Sequence, residues 1–439
     1  MSNQLENEIS TLFKNGSVWV QADFHLHTRK DGKFNYSPSG TYPHENTFPT
    51  DFVEELRSKD IRVGVITNHN KFDLAEFRAL RTKVRKQEIF LLPGVELSIS
   101  EGSRGIHLLI VFADDWIEKD FINQFLANVF PGKTPDQYET ENGHSQYGLL
   151  EVTDALDKFQ KDYFYICAHV DQDNGLCNEL TPGRIHDLYM NEKIAKRILA
   201  FQKVRSSENK KALQQLMPGA YPAEVEGSDA KCLQDIGTKS ARTWIKIGDY
   251  SFEAVRIALL DREHRLSSQK PTKPQHSYIR GISFEGGALN GQNIEFSPEL
   301  NTLIGIRGSG KSAILEAISY VLDFPDRLNR IDNEYKQQLI QYALGSGGRI
   351  KLTAIDRHGK NYEVYRTLNR TPEVYCDGKI MEGLFPRKTI IHQPMFFGQK
   401  ELAARGEYFD ESLIDRLMGD NLTETRREIS EKKANKRVA

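Results

Sequence analysis

Four cysteines are spread over 439 residues, and Cys167, Cys177, Cys232 and Cys376 form no CxxC pair. That spacing excludes a disulfide framework or a zinc ribbon and fits a reducing compartment. No apolar run approaches the roughly 18 residues needed to cross a bilayer. Met1–Lys14 is polar and acidic, without the apolar centre of a signal peptide. A cytoplasmic protein with no membrane partner is expected. Neither sign of charge dominates, since the formal net charge is −2. A global field that would attract nucleic acid is therefore absent, and any such surface must be local. The length leaves room for two domains.

What is present begins with Trp19-Val-Gln-Ala-Asp-Phe-His-Leu-His-Thr28, an apolar run ending in His25 and His27. Residues i and i+2 of a strand share a side, so the two imidazoles leave together, as a metal site requires. Further apolar runs also end in, or border, ligand-type residues. Ile61–Thr67 precedes Asn68-His69-Asn70, and Ile89–Val95 precedes Glu96. His107 opens Leu108–Phe112, Tyr163–Ala168 leads to His169, and Tyr221–Glu226 leads to Asp229 and Lys231. Helix-like segments such as Asp51–Lys59 and Leu74–Lys86 lie between them. This alternation predicts βαβ units and a parallel sheet with a site at the carboxyl ends of its strands. Met1–Gly16 should contain a short amphipathic helix over Leu5–Lys14. His44 and His144 lie in irregular stretches and read as solvated loop residues.

From about Val18 to Leu266 the order of these residues resembles the PHP family (polymerase and histidinol phosphatase) of metal-dependent phosphoesterases. The resemblance implies a distorted (β/α)7 barrel over 17–266 with two or three divalent ions, Zn or Mn. Its ligands would be His25, His27, Asp31, His69, Glu96, His107, His169 and Asp229. Glu96 would bridge two ions, with His25, His27 and Asp229 on one and His107 and His169 on the other. His69 and Asp31 would hold a third. Glu96, Asp229 and His169 would be central to catalysis. Two positions depart from the family pattern. Asn68 stands where it usually has Asp, and Lys231 where it usually has the last His. A lysine ammonium has no lone pair, so loss of the third ion, or of activity altogether, is the implied consequence.

Residues 267–277 form a polar, proline-containing linker. Beyond it, Ile294–Phe296 and Leu300–Ile304 read as strands, and Ala313–Leu322 as a helix. Between these lies Gly305-Ile-Arg307-Gly308-Ser309-Gly310-Lys311-Ser312, which fits the P-loop pattern GxxxxGK[ST]. Glycines let backbone N–H groups wrap phosphates, Lys311 would reach the β- and γ-phosphates, and Ser312 would hold Mg²⁺. Thr389–Leu402 resembles the Q-loop of ABC-type ATPase heads, with Gln399 sensing the nucleotide and Gln393 a rival. From Tyr278 the chain thus resembles the N-terminal lobe of an SMC-like head over 278–415. Residues 416–439 would start a coiled-coil arm. No signature motif, Walker B strand or switch His is found. A C-terminal ATPase half, in the same or a second chain, is implied as partner, with a homodimer through the heads.

The whole resembles PHP–ATPase fusions of the TrlF type. The expected activity is a metal-dependent phosphodiesterase or nuclease coupled to an ATP·Mg-binding head that acts on nucleic acid. Two alternatives stand beside it: a catalytically degenerate PHP module serving a DNA-binding ATPase, and a small-molecule phosphatase similar to histidinol phosphatase.

Overall fold

The computed structural model describes residues 11–34, 47–140, 143–238, 242–272, 274–324, 330–391 and 394–397. The chain forms two units, Met1–Pro271 and Thr272–Ala439. Their boundary falls inside the polar stretch 267–277.

The first unit holds strands β1 (Val18–Leu26), β2 (Ile61–Ile66), β3 (Phe90–Ile99), β4 (Ile106–Phe112) and β5 (Tyr163–Cys167). β6 (Ile198–Gln202), β7 (Ala223–Val225), β8 (Thr243–Ile247) and β9 (Leu266–Ser267) complete it. They form one sheet in the order β7-β6-β5-β4-β3-β2-β1-β8-β9. The segment after β7 returns to β1, where Phe24 N donates to Glu226 O and Asp229 N donates to His25 O. The sheet is thereby nearly closed into a barrel. Alternate residues of β1–β8, such as Val20, Val63, Leu109, Phe164 and Ile245, pack in an inner cluster with the helix Phe252–Leu260. An outer cluster packs the opposite strand faces against helices such as Phe48–Ser58 and Leu74–Val84. Asp73 starts the second of these by accepting from Glu76 N. Each fully buried ring in these clusters, Phe52 or Phe77 for example, contributes roughly 1.5–3 kcal/mol of transfer free energy.

The sheet is mixed, where the alternation predicts a parallel one. β1–β2, β2–β3, β5–β6 and β6–β7 are parallel, but β3–β4, β4–β5 and β1–β8 are antiparallel. The β3–β4 connection, 100–105, is too short for the helical crossover that a parallel pair needs. The antiparallel course of β4 matters for the site, because it carries His107 to the end where β1 and β3 finish.

The second unit is a six-stranded antiparallel sheet in the order β11-β10-β12-β13-β14-β15. These are β10 (Tyr278–Glu285), β11 (Asn293–Glu295), β12 (Arg349–Ile355), β13 (Asn361–Thr367), β14 (Glu373–Cys376) and β15 (Lys379–Ile380). Ile282, Phe284, Leu352 and Val364 pack with Ala317, Val321, Ile340 and Leu344 of the helices Lys311–Val321 and Arg330–Leu344.

Several expectations are revised here. Leu300–Ile304 is not a strand; no described strand pairs with it, and Leu300 and Ile304 are 92% and 89% exposed. Pro386–Thr389, which leads into the Q-loop-like stretch, forms a short helix begun by a proline at its first turn. In the N-terminal segment, the described part is a 3-10 turn, Thr11–Phe13, with Phe13 edge-on to Tyr250. The remainder of that helix, His44, Gln393, Gln399 and the coiled-coil segment 416–439 lie outside the described residues. No described helix is long and apolar enough to cross a membrane.

Candidate metal centre

Burial alone does not aim the two histidines of β1. Val20, Ala22 and Phe24 lie in the inner cluster, but Leu26 lies in the outer one. The pairing with β2 is irregular between Asp23 and Leu26. An extra residue at such a bulge reverses the alternation of side chains, so His25 and His27 face the interior after Phe24. His169 is turned by different means: it has φ +27, and Asp229 has φ +51. Both are left-handed backbone positions that non-glycine residues seldom adopt. Gly227 makes room for the approach, since a Cβ there would lie 2.4 Å from the Cβ of His25.

The result is two groups of ligand-type atoms, each within 4.8 Å of one another. One is His25, His27 and Asp229; the other is Glu96, His107 and His169. Glu96 spans them. Its Oε1 is 2.9 Å from His107 Nδ1 and 3.4 Å from His169 Nε2. Its Oε2 is 3.5 Å from His25 Nε2 and 3.7 Å from His27 Nε2. Asp229 Oδ1 is 3.2 Å from His27 Nε2 and 3.8 Å from His25 Nε2.

The far sides of the β1 imidazoles are fixed from behind. His25 Nδ1 meets Gln202 Oε1 at 2.9 Å, and His27 Nδ1 meets Asp31 Oδ2 at 2.8 Å. An acceptor on Nδ1 selects the tautomer whose Nε2 carries the lone pair. His25 Nε2 is buried with no hydrogen-bond partner, as is His69 Nε2. Such orphans are rare unless something else satisfies them. Four imidazoles, a spanning glutamate and an aspartate form a mixed N/O donor set suited to Zn or Mn. The residues present therefore fit divalent ions.

The electrostatics favour the ligating forms of the carboxylates, His25 and His69, and oppose that of His27. Burial would raise Glu96, but the charge of His25 and hydrogen bonds from His107 and His169 hold it well below the ordinary carboxylate range. Asp229 is likewise held down, against burial, by His25, His27, Lys231 and Lys203. Burial lowers His25, and it lowers His69 to about 4. Burial also pulls on His27, yet its hydrogen bonds to Asp229 and Asp31 outweigh it and push the group up.

Two expected ligands, Asp31 and His69, are not members of either group. Asp31 lies behind His27, with Oδ2 accepting also from His69 N and Oδ1 from Lys33 N. Both its oxygens thus already accept hydrogen bonds. His69 lies beside the Glu96 group, its ring 5.3 Å from that of His107. Asn68 faces neither group. Its Oδ1 accepts from Thr28 N and its Nδ2 donates to Thr28 Oγ1, a pattern that an ionised Asp could only half reproduce. The exposed His144 is outside the site. Gln202, which ends β6, and Lys203, which follows it, were not singled out in the sequence. The run Ile198-Leu-Ala-Phe201 before them carries the same signal as the other strands. Lys203 Nζ is 2.9 Å from Asp229 Oδ2. An open cavity of about 600 Å³ leads to the groups, lined by Lys33, Glu96, His107, His169, Asp229 and Lys231 among others.

In the second unit, Gly308 and Gly310 have φ +84 and +87, which glycine alone adopts freely. Lys311 opens the helix Lys311–Val321 with Ser312 next to it. Lys311 Nζ folds back onto Gly305 O, Ile306 O and Ser309 Oγ at 2.6, 2.8 and 3.3 Å. Arg307 is exposed beside it.

Residues 279–437 match a family model described as an AAA domain. Among solved structures, the lesion-specific endonuclease PfuEndoQ from Pyrococcus furiosus is similar over 74% of this chain and 83% of its own, with 12% identity and a TM-score of 0.39. A protein named as a metal-dependent phosphoesterase, from Bifidobacterium adolescentis, is similar over 55% and 96%, with 16% identity and a TM-score of 0.34. PsfC from Pseudomonas syringae is similar over 52% and 82%, with 13% identity and a TM-score of 0.33. No curated protein matches the chain. The chain is thus similar to an AAA domain in its second unit, and distantly similar to endonuclease and phosphoesterase structures.

Proposed function

We propose that the first unit is a two-metal phosphoesterase that cleaves phosphodiesters of nucleic acid, and that the second unit binds ATP·Mg. The observation that carries the first part is the division of Glu96, one carboxylate oxygen toward each histidine group. Bound divalent ions supply an activated water and charge stabilisation at phosphorus. His25, His27 and Asp229 would hold one ion, His107 and His169 the other, and Glu96 both. Asp31 and Gln202 keep the β1 imidazoles in the ligating tautomer. Lys33, at the mouth, supplies positive charge toward an incoming phosphate. The test is turnover by metal-loaded protein on single-stranded DNA, a simple phosphodiester and a phosphomonoester. Cleavage of the diesters is expected. Activity confined to the monoester would favour a small-molecule phosphatase instead.

One observation favours a second reading, a metal-free module: Asp229 is contacted by both Lys203 and Lys231. Elemental analysis separates the two readings.

For the second unit, Lys311 and the glycine turns support phosphate binding. The exposed Leu300, Ile304 and Ile306 support a missing ATPase half that pairs with this segment. Weak ATP·Mg binding with negligible hydrolysis is expected, and Lys311→Ala should abolish the binding. Robust hydrolysis lost in Lys311→Ala would contradict the half-head reading.

A further inference from the structure

We propose that two lysines act on Asp229 in opposite senses: Lys203 positions the carboxylate for an ion, and Lys231 is a resident cation occupying the place of that ion. The inference rests on the metal-centre reading above and deepens it.

The two contacts fall on different oxygens. Lys203 Nζ lies 2.9 Å from Oδ2. Lys231 Nζ lies 2.9 Å from Oδ1, the oxygen that faces His27 and His25. The two side chains also differ in freedom. That of Lys203 is 5% exposed and follows directly on β6, with φ +59. It is nearly all buried, and a buried ammonium without its carboxylate is strongly unfavourable. The pair therefore persists whatever happens at Oδ1, and it fixes the rotation of the Asp229 carboxylate.

The Lys231 side chain is 36% exposed and lines the open cavity. Its four-carbon stem can withdraw into that cavity. An ammonium beside Oδ1 and a divalent ion on the same oxygen repel each other at this short range, so each opposes the other there. Metal binding should then displace Lys231 and leave Lys203 in place. Sequence reasoning placed Lys231 at a lost ligand position; this geometry makes it a competitor for a ligand still present.

The test is calorimetric titration of the metal-free full chain with Mn²⁺ and Zn²⁺, with elemental counting and thermal melts on the same samples. Methionine keeps the stem and removes the charge, so Lys231→Met and Lys203→Met are compared with the parent chain. Lys231→Met should bind metal about tenfold more tightly, as a competitor is lost. Lys203→Met should bind about 10- to 100-fold more weakly, the usual effect of losing an outer partner. A purely structural role would move both in one direction. If Lys203→Met does not fold, the Lys231→Met arm decides. Metal binding by the parent chain that Lys231→Met leaves unchanged or weakens would overturn the proposal while sparing the metal centre. No binding by the parent or either variant would overturn the metal-centre reading itself, and this proposal with it.

Discussion

The two units carry their chemistry differently. In the first, every residue of the two ligand groups sits on, or just beyond, strands whose hydrogen-bonded neighbours are present. The sheet turns back on itself, so the site is completed by one continuous framework. In the second, Gly308 and Gly310 of the P-loop pattern adopt positive φ. Yet the segment leading into the loop pairs with no described strand and exposes Leu300, Ile304 and Ile306. The contrast teaches that a local motif and a finished site are separate achievements. A P-loop can form from its own turns, but the apolar run before it needs a sheet to enter.

The sharpest way to break this comparison is at Glu96. Glu96→Gln removes the charge that both groups share, so phosphodiester turnover should fall by more than the roughly 10- to 100-fold typical of an outer partner. Bound metal should fall with it. Full metal content in that variant would show that Glu96 does not link the two groups.

Next comes the pH dependence of the metal-free first unit. His69 is lowered by burial to about 4. A depressed histidine contributes stability that is present above its unfolded value and lost as pH falls toward its folded one. Stability should decline between about pH 6.5 and 4, by on the order of 3 kcal/mol if His69 acts alone. Denaturant titrations of the parent chain and His69→Gln check this, and the variant should show a shallower decline.

Asp31→Ala tests the framework behind the ligands. It removes the acceptor for both His27 Nδ1 and His69 N. Metal affinity should drop about 10- to 100-fold. An unchanged affinity would mean that packing alone fixes the His27 ring.

The smallest effect is expected in the second unit. Ile304→Glu, at an exposed position, should change stability by no more than about 0.5 kcal/mol, as surface substitutions do. A loss of several kcal/mol would mean that the segment is already buried in a sheet.

Much of the first site was legible as polar residues at the borders of apolar runs. His25, His27, Glu96, His107, His169 and Asp229 all carry that signal. The means that bring them together were not. A bulge near Asp23, a positive φ at His169 and an antiparallel β4 leave no periodicity in the sequence. Asn68 is legible in sequence only as a departure from the family pattern; that its hydrogen bonds fix Thr28 is not. Lys203 and Gln202 went unnoticed because their strand leads into residues not usually read as ligands. In the second unit the reverse holds. Leu300–Ile304 has the composition of a strand, but a strand exists only where a neighbour pairs with it.

The central claim is that the first unit holds two metal ions between its histidine groups. Elemental analysis of the full chain, purified without chelator, tests it most directly. The account predicts about two equivalents of transition metal per chain, falling in Glu96→Gln. A chain with no stoichiometric metal, which gains none on addition of Mn²⁺ or Zn²⁺, would contradict it.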